Sequence, residues 1–519
     1  MEFYDGRDFL EEAKQETSNE KSEIQAYYAN KTIFITGASG FLGTLILEKL
    51  LRTCKDLRKV YVLFRSSKRK PMKARLVEYF KDPVFDKMKA ENPKYSTQVT
   101  CVEGDLSQDN LGMSPEDTQV IIDNTQVILH VAATVKFDER LTTAYNINVK
   151  GTKSLIHLAQ QMRQLQVFVY VSTAFSNCDR KHIEEKFYDP VFTDEETMAI
   201  LENTQAEEQT LLTPFVLAKK PNTYIFTKAI SEDLVSKCSQ HLPVVVVRPS
   251  IIMPTLKEPM SYWMKNMNTI LSLMAGSGVG LIRVFYFGEN IKVDLTPGDL
   301  TTNCVLAAGW QKAIAPQSPM LYNCVGYENP VLLKDMVRQT YIKHKESEET
   351  IKKVVWRGHM VKAENTYYLF FLYYFLHVLP GLFFTLGEMY MNKKPMVMKI
   401  YRKFFFLNKT IHYFSFNEWS FTNDNTKALL NRLNPRDKEL FNFNMTTFSW
   451  MDYCEILYRC VALYVINDYT EYPKELYRKQ MKYINPIDKV IVWSFHFGAL
   501  YLLFTVLRLC MLNLSMYFR

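Results

Sequence analysis

Thr32-Ile-Phe-Ile-Thr36-Gly37-Ala-Ser39-Gly40-Phe41-Leu42-Gly43 is the stretch whose reading decides the fold. A short run of β-formers enters a G-x-x-G-x-x-G turn, and a helical pattern continues from Phe41 to about Thr53. Glycine lets a backbone turn tightly and approach a pyrophosphate. A helix start offers free N–H groups and positive dipole to phosphate. A glycine triplet alone says little, but one set between a strand and a helix, with a second strand following, is a dinucleotide-binding signature. That second strand is Val60-Tyr-Val-Leu-Phe64. Further apolar runs at 98–102, 127–131, 167–171 and 244–247 alternate with amphipathic helical stretches. The rhythm predicts an α/β fold, a Rossmann-type doubly wound parallel sheet covered on both faces.

The rhythm stops near residue 330. The expected organisation is therefore a polar lead-in (1–30), a nucleotide-binding domain including the substrate region (31–330), a helical C-terminal domain (331–480) and a membrane segment (488–512). Two apolar segments carry the last part of this reading. Residues 490–507 would make a helix of about 27 Å, close to the hydrocarbon thickness of about 30 Å, bracketed by Lys489 and Arg508. Residues 367–386 are broken by Pro380-Gly381 and suit a re-entrant or core helix better than a span.

The end of the second strand discriminates between nicotinamide cofactors. An acidic residue there would bind the ribose 2′-hydroxyl of NAD. This chain instead reads Arg65-Ser-Ser-Lys68-Arg69, cations and hydroxyls suited to a 2′-phosphate, so NADPH is expected. Asp105 and Leu106 follow the third strand in an adenine-side turn. Ala132, Ala133 and Thr134 follow the fourth, where small residues let the backbone lie against the cofactor.

Tyr224-Ile-Phe-Thr-Lys228 puts a phenol and an ammonium on one helix face. The ammonium should stabilise phenolate and make the phenol a usable proton donor; Lys228 would also touch the cofactor. The fifth strand ends in Ser172-Thr173, and ligands bind beyond the strand carboxyl ends in such sheets. A hydroxyl there would hold a substrate oxygen as negative charge develops, with Thr173 the first candidate and Ser172 the second. Glycine turn, strand-end hydroxyl and Tyr–Lys helix in this order read as a hydride-transfer site.

Composition is that of a globular chain: 47% hydrophobic and 23% charged over 519 residues. The net charge of +8 is spread out, so nucleic acid is not an expected partner. The nine cysteines form no C-x-x-C pair, which argues against metal sites and a disulfide framework and for a reducing compartment. No cleavable signal pattern is read at the N-terminus.

Residues from about 30 to 330 resemble the extended short-chain dehydrogenases and, more narrowly, the alcohol-forming fatty acyl-CoA reductases. The narrowing motifs are Ile35-Thr-Gly-Ala-Ser-Gly-Phe-Leu-Gly43, His130-Val-Ala-Ala-Thr-Val-Lys-Phe-Asp-Glu139, Asn148-Val-Lys-Gly-Thr152, Val171-Ser-Thr-Ala-Phe-Ser-Asn177, the Tyr224 and Lys228 pair, and Val247-Arg-Pro-Ser250. Residues from about 365 to 465 resemble that family's C-terminal domain, with Trp450-Met-Asp-Tyr453 in place. The resemblance implies reduction of a long-chain acyl-CoA to a fatty alcohol with two NADPH, feeding lipid, wax or ether-lipid synthesis. A water-insoluble substrate class would suit a membrane-anchored enzyme facing the cytosol, on a peroxisomal or endoplasmic reticulum membrane, and a homodimer is compatible with the sequence. Two departures stand out. Pro259-Met-Ser-Tyr-Trp263-Met-Lys265-Asn266 replaces the family's Pro-x-Pro-Gly-Trp-x-Asp-Asn, and Cys460-Val-Ala462 replaces Gly-x-Arg. Both put acyl specificity in doubt. Competing readings are a related oxidoreductase or epimerase acting on sterols or nucleotide-sugars, and a non-catalytic NADPH-binding scaffold.

Overall fold

The computed structural model describes residues 20–66, 71–265, 280–346, 361–363 and 365–460, with isolated positions between 273 and 277 and between 479 and 511. Seven parallel strands form the central sheet: β1 (Thr32–Thr36), β2 (Lys59–Phe64), β3 (Val99–Glu103), β4 (Val127–His130), β5 (Val167–Val171), β6 (Val244–Pro249) and β7 (Leu321–Cys324). Their order is β7-β6-β5-β4-β1-β2-β3. Strands such as Val244–Pro249 and Val167–Val171 are buried along their whole length, as expected where helices cover both faces of a parallel sheet. Ile35 of β1 lies opposite Val62 on one side and Leu129 on the other. The chain winds outward from β1 in both directions, so the order reverses between β1 and β4. A crevice opens beyond the carboxyl ends at such a switch point.

Six helices matter below: α1 (Phe41–Thr53), α2 (Gly151–Gln160), α3 (Thr223–Cys238), α4 (Gly298–Ile314), α5 (Thr366–Tyr390) and α6 (Val397–Ser415). Asn222 caps α3 by accepting from the Ile225 amide at 2.9 Å. The seventh strand was not among the expected ones.

The chain divides into two compact units. The first comprises 1–265, 292–331 and 418–449; the second comprises 266–291, 332–417 and 450–519. The 418–449 segment is stitched into the first unit by polar contacts. The Glu185 carboxylate accepts from the Asn323 amide (2.9 Å), the Asn425 amide (2.6 Å) and the Thr426 hydroxyl (2.9 Å). Ser420 and Phe421 pair in parallel with His182 and Ile183.

In the second unit, Val361–Ala363 pairs with Val284–Tyr286, and Leu369, Leu372 and Leu376 of α5 pack on that small sheet. Among the described residues α5 is the one helix long and apolar enough to cross a membrane, with about a third of its apolar window buried. The helix runs through Pro380-Gly381 instead of breaking. A π turn over Tyr374–Val378 precedes the proline, and the Leu379 amide bonds back to the Tyr374 carbonyl, relaxing the ladder that the imide nitrogen cannot complete. Most of the expected 488–512 segment lies outside the described residues; those described within it are helical.

Candidate active site

The first glycine of the turn needs its freedom. Gly37 has φ +79°, and a Cβ there would sit 2.6 Å from the Ala132 nitrogen. A Cβ on Gly43 would lie 2.1 Å from the Gly37 carbonyl oxygen. The turn therefore folds onto itself and onto the end of β4. Gly40 caps α1 with no side-chain bond to the helix amides, which leaves these N–H groups for an anion. The residues fit a dinucleotide's phosphates on that ground. Ser39 is exposed, while the side chains of Thr36 and Leu42 are buried. Phe41 stacks on Trp263 with centroids 5.4 Å apart. Thr36, Phe41 and Leu42 are thus placed to contribute backbone to the turn, not side chains.

The Thr36 hydroxyl bonds His130 Nδ1 at 2.6 Å, and His130 Nε2 bonds the Thr152 hydroxyl of α2 at 2.9 Å. Burial, with Lys228 nearby, pushes His130 down to about 3, so it is a neutral link between the sheet and α2. Beyond β4, Asn148 clamps the chain at Thr134: its Oδ1 accepts from the Thr134 amide at 2.8 Å and its Nδ2 donates to the Thr134 carbonyl at 3.2 Å. Nδ2 also reaches Thr227 of α3 at 3.0 Å. Asn148 sits in a π turn, Asn146–Lys150, a distortion common at functional sites. Sequence spacing quoted this residue in a motif but gave it no role.

Ser172 and Thr173 have separate fates. Ser172 donates to buried Glu232 of α3. Thr173 accepts from the Phe175 amide at 3.3 Å, and its hydroxyl lies near enough to the Tyr224 phenol to act on it. Burial pushes the Tyr224 phenol up, and the Thr173 hydroxyl pulls it part-way back. This differs from the expected lowering by Lys228. The Lys228 ammonium is engaged below, donating to the Val171 carbonyl at 2.8 Å and to the Tyr170 hydroxyl at 3.2 Å. Burial brings Lys228 down to about 7, against the opposing charge of Glu232.

Behind this group lies a buried ion pair that sequence reasoning missed. Arg248 donates to Glu232 through Nε at 2.9 Å and NH2 at 2.6 Å, and Ser176 donates to the same carboxylate at 2.9 Å. Glu232 lies one helical turn beyond Lys228, and that i+4 spacing was a legible signal. Trp419 braces the turn after Thr173 from outside, donating to the Cys178 carbonyl at 2.9 Å and meeting Phe175 edge-on.

At the other end, Arg65 pairs with Asp105 at 3.4 Å. Arg75 donates to the Arg65 carbonyl, adding a second guanidinium the sequence reading did not name. Leu106 is buried where Gly151 leaves space for it, and Lys68 lies outside the described residues. The segment that departs from the family pattern sits beside α1: Lys265 donates to the Thr44 hydroxyl at 2.9 Å, and Asp299 holds the amides of Leu256, Lys257 and Glu258.

Comparison with known proteins fits this geometry. An NAD-binding family described as male sterility protein matches residues 35–305, and the Sterile family, with the same description, matches 376–468. Fatty acyl-CoA reductase wat of Drosophila melanogaster is 35% identical over 97% of this chain and 98% of its own length. This chain belongs to the fatty acyl-CoA reductase family. Fatty acyl-CoA reductase 1 of Rattus norvegicus is 36% identical, with 86% of each chain covered. Among solved structures, the terminal R domain of the myxalamid PKS-NRPS pathway shares the fold at TM-score 0.56 and 17% identity, covering 85% of this chain and 92% of that one. The protein is accordingly an enzyme, a reductase using a nicotinamide cofactor.

Proposed function

We propose that this fatty acyl-CoA reductase takes long-chain or very-long-chain acyl-CoA to fatty alcohol with two NADPH, by way of an aldehyde. The observation that carries the reading is the Thr173 hydroxyl at the carboxyl end of β5 beside the Tyr224 phenol, in a chain that matches named fatty acyl-CoA reductases along nearly its full length.

The cofactor's phosphates would rest on the turn Gly37, Gly40 and Gly43 and on the open end of α1. When bound, the nicotinamide supplies hydride to the thioester carbonyl carbon. Thr173 and Tyr224 hold the carbonyl oxygen, and Tyr224 gives it a proton as charge develops there. The hemithioacetal then collapses to aldehyde and expels the CoA thiolate, which is protonated. The same two hydroxyls serve the aldehyde in the second reduction. Lys228, one helical turn on from Tyr224, holds the carboxyl end of β5 through the Val171 carbonyl.

NADPH is preferred because Arg65 and Arg75 stand at the end of β2, with Lys68 close in sequence. Arg65→Ala is expected to raise the KM for NADPH by about tenfold to a hundredfold and leave that for NADH almost unchanged, since a charge-assisted guanidinium–phosphate bond contributes about 1.5–3 kcal/mol. Steady-state kinetics with both cofactors checks it. The apolar 490–507 stretch, whose described residues Trp493, Phe497 and Tyr501 are exposed, supports a tail anchor with the catalytic domain on the cytosolic side.

The test is incubation of purified full-length protein with NADPH and a panel of acyl-CoAs, followed by lipid analysis. Fatty alcohol, with aldehyde in trapping experiments, is expected. Absence of both across the panel, or NADPH oxidation by sterol ketones alone, would overturn the reading.

A further inference from the structure

Helices α5 and α6 form an antiparallel pair within the second unit, joined through an exposed turn at 391–396. Their close approach is built at Gly381, where a Cβ would meet Met398 Sδ at 2.7 Å and the Tyr401 ring at 2.9 Å. One face of α5 is spent on the unit's own core: Leu369, Leu372 and Leu376 are buried. The other face is apolar and open. Phe383 is 75% exposed, Leu386 63% and Tyr390 91%, and Tyr367, Phe370 and Tyr374 continue the face toward the start of the helix.

The π turn keeps that face in line. Spacings of three or four residues run from Tyr367 through Phe370 to Tyr374, and again from Leu379 through Phe383 and Leu386 to Tyr390. Between the two halves the step is five residues, Tyr374 to Leu379, and it falls on the π turn Tyr374–Val378. In an unbroken α-helix a five-residue step would swing the stripe by roughly 140°; the wider turn brings it back. The exposed stripe thus extends along about 37 Å of helix.

Charge beside this stripe is mostly positive. Residues 366–415 contain six Lys and Arg and one carboxylate, Glu388. Lys393 and Lys394 occupy the connecting turn. Lys399, Arg402, Lys403 and Lys409 are exposed at helical spacing on α6. Among the described residues none of the six has a carboxylate within ion-pair distance.

We infer that the α5–α6 hairpin is a membrane-docking face, lying in the plane of a bilayer with the α5 stripe among the acyl chains and the α6 cations on anionic headgroups. With Leu369, Leu372 and Leu376 buried in the unit's own core, one apolar face is left for lipid, which suits a helix lying on a membrane. An apolar face flanked by aromatics and Lys/Arg is the pattern of interfacial helices, which sink about 5–10 Å, and anionic lipid holds such cations. This contact is separate from the tail anchor and does not depend on it.

The experiment uses the full chain in vesicles of phosphatidylcholine, with or without phosphatidylserine, doped with a phospholipid carrying a photoreactive acyl chain. Adducts are mapped by mass spectrometry. Adducts on 382–390 are expected, with none on the acidic helix around Val120, whose side chain is also exposed. Their yield should rise about tenfold with phosphatidylserine, a rise lost in K399E/R402E/K403E. Adducts confined to the tail, chain-to-chain crosslinks through Phe383 in place of lipid adducts, equal labelling around the whole circumference of α5, or labelling of 382–390 that does not respond to phosphatidylserine would each overturn the proposal.

Discussion

Tyr224→Phe should lower kcat by about 10²- to 10⁴-fold, the range expected when a positioned proton donor is removed, while NADPH binding and thermal stability hold. The substitution takes away one oxygen. The ring stays stacked near Phe137, with centroids 6.0 Å apart, and Thr173 keeps the Phe175 amide as a partner. Loss of one hydrogen bond costs about 1 kcal/mol of stability, too little to explain such a rate effect through unfolding. Single-turnover reduction, a melting curve and a cofactor titration on the same sample separate the readings. Full activity in the variant would remove the phenol from the mechanism. The pH profile gives a companion signature. Burial sets Lys228 at about 7, so it carries its charge below that pH and loses it above. The charged form is the one that favours proton loss from the phenol. The kcat/KM of the free enzyme should therefore fall as pH rises through about 7. Lys228→Arg, charged throughout, should flatten that limb at a lower overall rate.

The residues of the candidate site were easier to pick out in the sequence than the structure around them. Six strands and the helix after the glycine turn can be read because each is a continuous apolar run or a regular period, and local pattern is what sequence displays. The seventh, Leu321–Cys324, carries Tyr and Asn in its four residues and owes its place to pairing with β6. No local signal announces that pairing. The same holds for 418–449, a polar segment held by Glu185 and Trp419 through contacts more than 200 residues apart in sequence. Pro380-Gly381 reads as a helix break because proline lacks a donor; the π turn that absorbs the defect, Tyr374–Val378, has no signature in the local apolar pattern. Thr173 and Ser172 are adjacent hydroxyls and equivalent on paper. They separate because alternate strand-end residues point to opposite sides, one toward Tyr224 and the other toward Glu232.

Arg248→Met should be the most destabilising single change in the site, by about 3–5 kcal/mol. The Arg248 side chain is fully buried and that of Glu232 is 3% exposed. Among the described residues, removing the arginine leaves a buried carboxylate held by the Ser172 and Ser176 hydroxyls and the nearby charge of Lys228, and a buried charge stripped of its bidentate partner is far costlier than a broken surface pair. A native domain has about 5–15 kcal/mol in total, so melting should move down by on the order of 10 °C. Arg248 also donates to the carbonyls of Glu184 and Lys186 at 3.2 and 3.1 Å, so the loop beyond Thr173 loosens with it and the rate should fall as well. E232Q/R248M decides whether charge is the cause. With no carboxylate left to strand, the double variant should recover most of the stability, because a buried pair replaced by neutral groups of similar volume is often close to neutral. Recovery of melting without recovery of rate would assign the pair a positioning role: it holds Thr173 against Tyr224 at the distance proton delivery needs. If the double variant melts as low as R248M, the stranded charge is not the cause, and packing of the long guanidinium side chain is what the site requires.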